Sequence, residues 1–482
     1  MKSIRYWQLG AAGLVLALGA TGLRAQVFTD VIPGQKVGGS RNIQVVGHLS
    51  LDSAYKTADI AIEQELSRPY VYVAHRLIPS GIEIISIKDP SKPRLLWSSF
   101  VKNAELHKGA GSLNPMYLKS HGRYYLTNSY QFQQGGPDVD LGGVVWDVTG
   151  LPDTSKIKMV AEMRDPEHPG GFHESYSYKH SNGEALLFTQ ASGPFADVWD
   201  IDQVVAAGKG DPQTGLVGQV PVPVDSGVAR QMMAMMAAFQ PPRRPGDTTR
   251  APALSMSRMP GYHDFYVAYD PATHQDKFYG AGLGGYFVYD VTDLKSPKLL
   301  TSITGVAGVT FGHTFMAEPS GRYVWTETEY QYAPLRVFDL KPGLDGTVKN
   351  ISRPIGAWTA DWRDLAHNFE IRWPYVFVSG YEDGLQVVNM MDPTNPYTVG
   401  YYYTCGCPHG TGLGGVMNGA WGVQVRNADG LIVVSDIQTG FWSLKMEGFD
   451  GWNGHQWGLP NVSSAQDWDN GPEGAPKPQK VS

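Results

Sequence analysis

Seven times the chain repeats one phrase: a glycine, an alternating apolar strand ending near an aspartate, a turn rich in Asp, Pro and Lys, then another strand. The copies are "GIEIISIKDPSKPRLLWSS" (81–99), "GGVVWDVTGLPDTSKIKMVAEM" (142–163), "FADVWDIDQV" (195–204), "GGYFVYDVTDLKSPKLLTSI" (284–303), "PLRVFDLKPGLDGTVKNISRPI" (334–355), "GLQVVNMMDPTNPYTVGYY" (384–402) and "GFWSLKMEG" (440–448). Ser86, Asp147, Asp200, Asp290, Asp339, Asn389 and Leu444 are equivalent points, separated by 61, 53, 90, 49, 50 and 55 residues. Each unit also holds an earlier alternating strand and a β-rich run such as "YVYVA" or "YVFVS". Four strands in about 50 residues is one propeller blade. Helical signals are nearly absent, which argues against a parallel α/β sheet.

The seventh unit lacks a fourth strand at its C-terminal end. "IQVVGHLSL" (43–51) matches the closing strands "YTVGYYY" and "KMVAEM" and supplies it. Closure of this kind removes an open sheet edge. The sequence therefore predicts an all-β, seven-bladed β-propeller whose N-terminal strand closes the last blade.

The boundaries follow. Lys2 and Arg5 precede an apolar run from Leu9 to Leu23 that ends "LRAQ". This is the pattern of a signal peptide over residues 1–25, cut after Ala25, and it predicts a periplasmic or secreted protein. No later stretch is long and apolar enough to cross a bilayer. The propeller is expected over 26–448, with an insertion at 205–258 and a tail at 449–482. The insertion carries "VARQMMAMMAAF" and "QPPRRPGD", a Met-rich amphipathic helix serving as lid or packing insert, or else a disordered loop. The tail is rich in Gly, Pro and Asn, and its Trp452, Trp457 and Trp468 are candidates to dock. The formal charge of -7 becomes -10 once Lys2, Arg5 and Arg24 leave with the signal. No basic stripe is visible, so a nucleic-acid partner is not expected. With 2 cysteines, stability must come from a packed core.

The repeats resemble those of the LVIVD-repeat family of secreted bacterial propellers, through G-[LIV]-x-[VIF]-x-[DNS] followed by D-P-x-x-P. The resemblance covers about residues 43–447 and implies the propeller fold.

Histidines return to one slot in four consecutive units. Measured back from the equivalent points, His173, His263, His313 and His367 lie 27, 27, 26 and 22 residues upstream. In a propeller the first strand of each blade lines the axis, so these four side chains are expected to converge at one mouth. Buried imidazoles need a partner for each ring nitrogen. A single transition metal would satisfy them together, with Fe(II) or Cu preferred and Zn possible. Few carboxylates accompany the histidines in sequence, which argues against Ca or Mg. The remaining slots fall at Ala58, near Asn114 and at Trp421, leaving coordination positions open for a small-molecule substrate. The site is similar in design to carotenoid-cleavage oxygenases, which hold ferrous iron with four axial histidines. It is also similar to the methanethiol-oxidase (selenium-binding) propellers, which have a His-rich copper site.

Loops expected on the same face carry His75, Arg76, Asn128, Gln190, Glu327, Glu329, Tyr381, Glu382 and Asp436. Glu327 and Glu329 are candidates for a general base or for carboxylates behind the ligands. Trp421, Arg76, Glu382 and Asp436 are candidates for the pocket wall. Cys405, Cys407 and His409 in "TCGCPHGTGLGG" have metal-ligand spacing, though the thiols could pair with each other. Gly-rich runs such as "GAGLGG" (280–285) precede strands and carry no nucleotide signal. The expectation is an exported metal-dependent enzyme, an oxidoreductase or oxygenase before a hydrolase or lyase, acting on a small, partly apolar substrate. The alternative is a non-catalytic propeller that presents its loops to a protein or glycan, with structural histidines.

Overall fold

The computed structural model describes residues 37–51, 57–76, 80–101, 107–132, 142–168, 170–190, 193–223, 227, 261–407 and 417–454. The expected signal peptide, the Met-rich run of the insertion, His409, Trp457 and Trp468 lie outside these residues. The strands form seven antiparallel sheets, as the repeats predict. The innermost strands are Thr57–Ile62, His107–Leu118, Ser175–Lys179, Tyr262–Asp270, Phe315–Ala317, Phe369–Arg372 and Ala420–Val425. The outermost strands of the first six blades are Arg94–Phe100, Lys158–Met163, Leu216–Pro221, Lys298–Thr304, Gly356–Trp358 and Tyr397–Tyr403.

The seventh blade is closed by Ile43–Leu49, which pairs with Gly440–Met446 in the register Ile43↔Met446 to Leu49↔Phe441. Gly47 makes that fit possible. A Cβ there would run into the Pro90 carbonyl of the first blade, so the seam admits glycine only. A two-residue strand, Gly38–Gly39, adds to the outer edge of the sixth blade. The N-terminal segment thus ties two blades together.

The repeated aspartate has a local job. Asp147, Asp290, Asp339 and Asn389 each accept a hydrogen bond from the backbone N–H two residues on, at 2.9–3.0 Å. The second Asp of the phrase does the same in Asp89, Asp293 and Asp392. These Asx turns bend the chain from the third strand to the fourth without help from tertiary contacts. The 90-residue third unit departs from the pattern. There Asp200 caps a seven-residue helix, Ile201–Ala207, before the outer strand Leu216–Pro221 begins. Part of the segment read as insertion is therefore the blade's own fourth strand.

The core lies between blades. Tyr266, Phe265, Phe278, Trp325 and Phe369 pack with β-branched residues of the second strands, and all are buried. Of the tail, Trp452 packs beside Phe449, and its indole N–H donates to the Trp373 carbonyl at 3.1 Å.

Candidate metal centre

In four of the seven blades the innermost strand begins with an irregularity. Pairing skips from Thr57 to Ile60, from Ala110 to Leu113, from Tyr262 to Asp264 and from Ala420 to Gly422. In the fifth blade His313 N–H and Thr314 N–H both point at the Glu327 carbonyl. A bulge inserts one unpaired residue and re-aims its side chain. His263 and Trp421 are such extra residues, and His313 sits at the equivalent place. The bulges re-aim His263 and Trp421, whereas His173 and His367 join the arc from strands that carry no such shift.

The four histidines stand in an arc. Successive ring centroids are 4.7 Å apart for His173–His263, 3.9 Å for His263–His313 and 4.8 Å for His313–His367. Trp421 continues the arc 4.2 Å beyond His367. Arg76 lies over the other side of the circle, its guanidinium carbon 4.7 Å from the Trp421 ring centroid. The Nε2 atoms of His173 and His263 are 3.1 Å apart. Adjacent ligands on one metal at 2.1 Å would stand about 3 Å apart.

His313 is the most constrained member. Its Nδ1 meets the Glu327 carboxylate at 2.7 Å, and both side chains are buried. That contact orients the ring and turns Nε2 toward the hub, where a bound metal would take the place of its proton. Nε2 has no hydrogen-bond partner and lies 3.6 Å from Glu329 Oε2. The Tyr381 hydroxyl donates to the other Glu329 oxygen. Tyr381 itself holds a left-handed backbone, φ 47°, and exchanges two backbone hydrogen bonds with Ala420. Strain of this kind persists where surrounding structure enforces it. Ligand atoms of His313, Glu329 and His367 all lie within 4.8 Å of one another, so this group could hold a metal ion.

Electrostatics separate the histidines. Burial, the neighbouring imidazoles and Arg76 push His263 and His367 well below the usual range, so both rings stay neutral. Burial also opposes charging of His313, but Glu327, Glu329 and Asp264 outweigh it and raise it to about 9. Burial pushes Glu327 up to about 7 despite His313.

A second layer lies one residue further along each strand. Glu174 accepts from the Ser112 hydroxyl, and Thr314 bridges Asp264 and Asn368 at 3.2 and 3.0 Å. The expectation of few carboxylates near the histidines is thus corrected. They come from the residue after each His and from the ends of the second strands, where distance along the chain hides them. The pairs "HE" (173–174) and "HD" (263–264) were the available signal.

Other expected site residues fall elsewhere. The Asp436 carboxylate takes Thr404 Oγ1 and the Gln438 and Thr439 N–H groups, so it builds a turn and not a pocket wall. Gln190 Oε1 accepts the His173 N–H at 3.0 Å and positions that residue. His75 pairs with Glu83 at 3.0 Å within its own blade. Glu382 is buried in the turn after Tyr381. Cys405 and Cys407 form a disulfide with each other, so neither thiol is available for a second metal site.

Two further carboxyls, Asp59 and Asp197, carry a stability signature. Burial pushes Asp59 and Asp197 up to about 7, against the backbone N–H groups that hold Asp59 and against Gln219 beside Asp197. A carboxyl with a raised folded pKa stabilises fully below its unfolded pKa and loses that contribution as pH rises through the folded value. The neutral His263 and His367 act with the opposite sign. Asp197→Asn isolates one term: it should raise the melting temperature at about pH 8 relative to wild type by a few degrees. The gain should shrink toward about pH 5. A gain equal at both pH values in thermal melts would contradict the buried-proton assignment.

No protein-family model matches the sequence, and no curated protein matches it. Among solved structures the fold is similar to Chaetomium thermophilum Raptor, with 9% identity and a TM-score of 0.50. The match covers 86% of this chain and 30% of Raptor, so the chain spans about a third of that protein's length. At this identity the likeness concerns fold alone.

Proposed function

We propose that the protein is an exported, metal-dependent oxidoreductase holding one transition-metal ion at the mouth of its axial channel. The observation that carries this reading is His313, whose Nδ1 is fixed by Glu327 while its buried Nε2 is left without a hydrogen-bond partner. An orphaned buried nitrogen costs about 1–3 kcal/mol, and a metal relieves it. Two histidines and one carboxylate with open positions suit ferrous iron; the further imidazoles of His173 and His263 also suit copper, and zinc third. Such an ion supplies Lewis acidity and, for iron or copper, one-electron chemistry. Glu327 sets the tautomer and direction of His313. Glu329, steadied by Tyr381, would be the carboxylate ligand of such an ion and the nearest base to it. Trp421 and Tyr381 give the small, partly apolar substrate a wall and keep water from the site. The repeat's resemblance to the secreted LVIVD propellers and the signal-like N-terminus support export.

The test is elemental analysis of protein purified from the periplasm without added metal, followed by an oxygen-consumption screen. About one iron or copper per chain is the expected result. Glu327→Gln should keep the fold and lower metal affinity about 10–100-fold. Metal-free protein that cannot be loaded would sink the reading.

One observation favours a second reading, a binding propeller. Trp362 is 63% exposed and stacks on exposed Tyr332 at 5.3 Å. Trp362 also lines a polar cleft of ≈ 490 Å³ with Asp361, Arg363, Asp383 and Gln386. Aromatic surface beside polar groups suits a glycan, and this reading needs no metal.

A further inference from the structure

The metal reading accounts for the histidines and the glutamates but not for Arg76. Going around the ring, His173, His263, His313, His367 and Trp421 come from consecutive blades, and Arg76 follows the second strand of the first blade, Tyr70–His75. The arginine therefore stands where the histidine arc is open. Its guanidinium lies over the face of Trp421. Among the described residues no carboxylate or carbonyl hydrogen-bonds its guanidinium.

An arginine at the mouth of a site with no carboxylate hydrogen-bonded to it among the described residues is unusual. The guanidinium presents up to five N–H donors in a fixed fork, and inside a partly dry opening those donors seek an acceptor. Here the neighbouring carboxylates are already engaged: Glu327 with His313, Glu329 with Tyr381, and Glu174 with Ser112. A bound divalent ion would put a second positive charge across the gap from Arg76. Two cations facing one opening call for an anion between them. The fork matches a carboxylate in two parallel bonds. The flat Trp421 ring, already layered against Arg76 and His367, offers a surface for a planar group next to that carboxylate.

We propose that the ligand of this hub is a carboxylate-bearing small molecule, with one carboxylate oxygen toward the metal held by His313, His367 and Glu329 and the other on Arg76. The inference rests on the metal reading and narrows its substrate to monocarboxylates with an attached planar or apolar group. Glu329, being itself a carboxylate, occupies part of that space in the unliganded protein. The incoming carboxylate would take an open position on the ion beside it, and the Tyr381 hydroxyl retains Glu329.

The test uses the full chain loaded with Co(II), whose visible spectrum reports changes in coordination. Metal content is measured first in wild type, Arg76→Met and Arg76→Lys, then each is titrated with acetate and with uncharged acetamide. The expected result is equal cobalt in all three, and a saturable spectral change with acetate in wild type. That change should weaken at least tenfold in Arg76→Met and less in Arg76→Lys, with acetamide giving none. Equal acetate affinity in wild type and Arg76→Met would overturn the inference and leave the metal site standing. An equal response to acetamide, or none to acetate with cobalt bound, would overturn it likewise. Failure of all three proteins to bind cobalt would instead remove the metal reading, and the carboxylate with it.

Discussion

His313→Ala is expected to empty the hub of metal while the seven blades remain assembled. The substitution removes the ring that Glu327 fixes and that stands closest to Glu329. Metal content should fall from about one ion per chain to under about a tenth, because a site missing its central ligand loses more than the tenfold penalty of a lost supporting contact. Stability should change less. Breaking a buried ion pair costs about 3–5 kcal/mol when the remaining charge stays ionised. Glu327, already raised to about 7 by burial, can take up a proton instead and shed most of that cost. The double variant His313→Ala/Glu327→Gln should therefore melt at or above the single variant. Metal analysis alongside thermal melts by circular dichroism reads both quantities. Full metal retention in His313→Ala, with the fold intact, would remove the hub as the binding place.

Deleting residues 37–50 should have the larger structural effect: loss of the cooperative fold. The deletion strips the closing strand from Gly440–Met446, and with it the six-pair register from Ile43 to Leu49. Backbone hydrogen bonds contribute about 1 kcal/mol each, and a buried isoleucine such as Ile43 adds about 1.5–3 kcal/mol. The sum is comparable to the whole net stability of an ordinary domain, about 5–15 kcal/mol. The exposed edge would also recruit other chains. Size-exclusion chromatography and thermal melts should show aggregates and a melting point lowered by at least about 10 °C. Gly47→Val tests the same seam more gently, since its side chain would meet the Pro90 carbonyl. A truncated protein that melts like the full chain would show that closure contributes little.

The blades were legible in sequence because their punctuation is local. Asp147, Asp290, Asp339 and Asn389 act on an amide two residues away, and such turns leave the same mark in every copy. The closing strand was legible because an unpaired edge demands a partner and one matching segment remained. The histidine slot followed from the same arithmetic. What the sequence hid was direction. Glu327 and Glu329 differ by two positions, yet one grips His313 and the other turns to Tyr381. Asp436 reads as another loop acid but is spent on its own turn. Glu174 and Asp264 follow their histidines directly, and strand alternation would send them away from the axis. A bulge breaks that alternation before Asp264, and no single-copy pattern announces a bulge. Arg76 reads in sequence as a wall residue, and its place over Trp421, with no carboxylate hydrogen-bonded to it among the described residues, becomes visible only once the ring is closed.

Those irregular strand starts also bear on how such a hub can diversify. Where such a shift occurs, the extra residue stands outside the ladder, so its identity is uncoupled from the register that holds the sheet. Ala58, His263 and Trp421 occupy equivalent stations without any cost to the pairing behind them. A lineage could therefore rewrite the axial chemistry one station at a time, exchanging ligand for wall or wall for ligand, while the scaffold that carries it stays untouched.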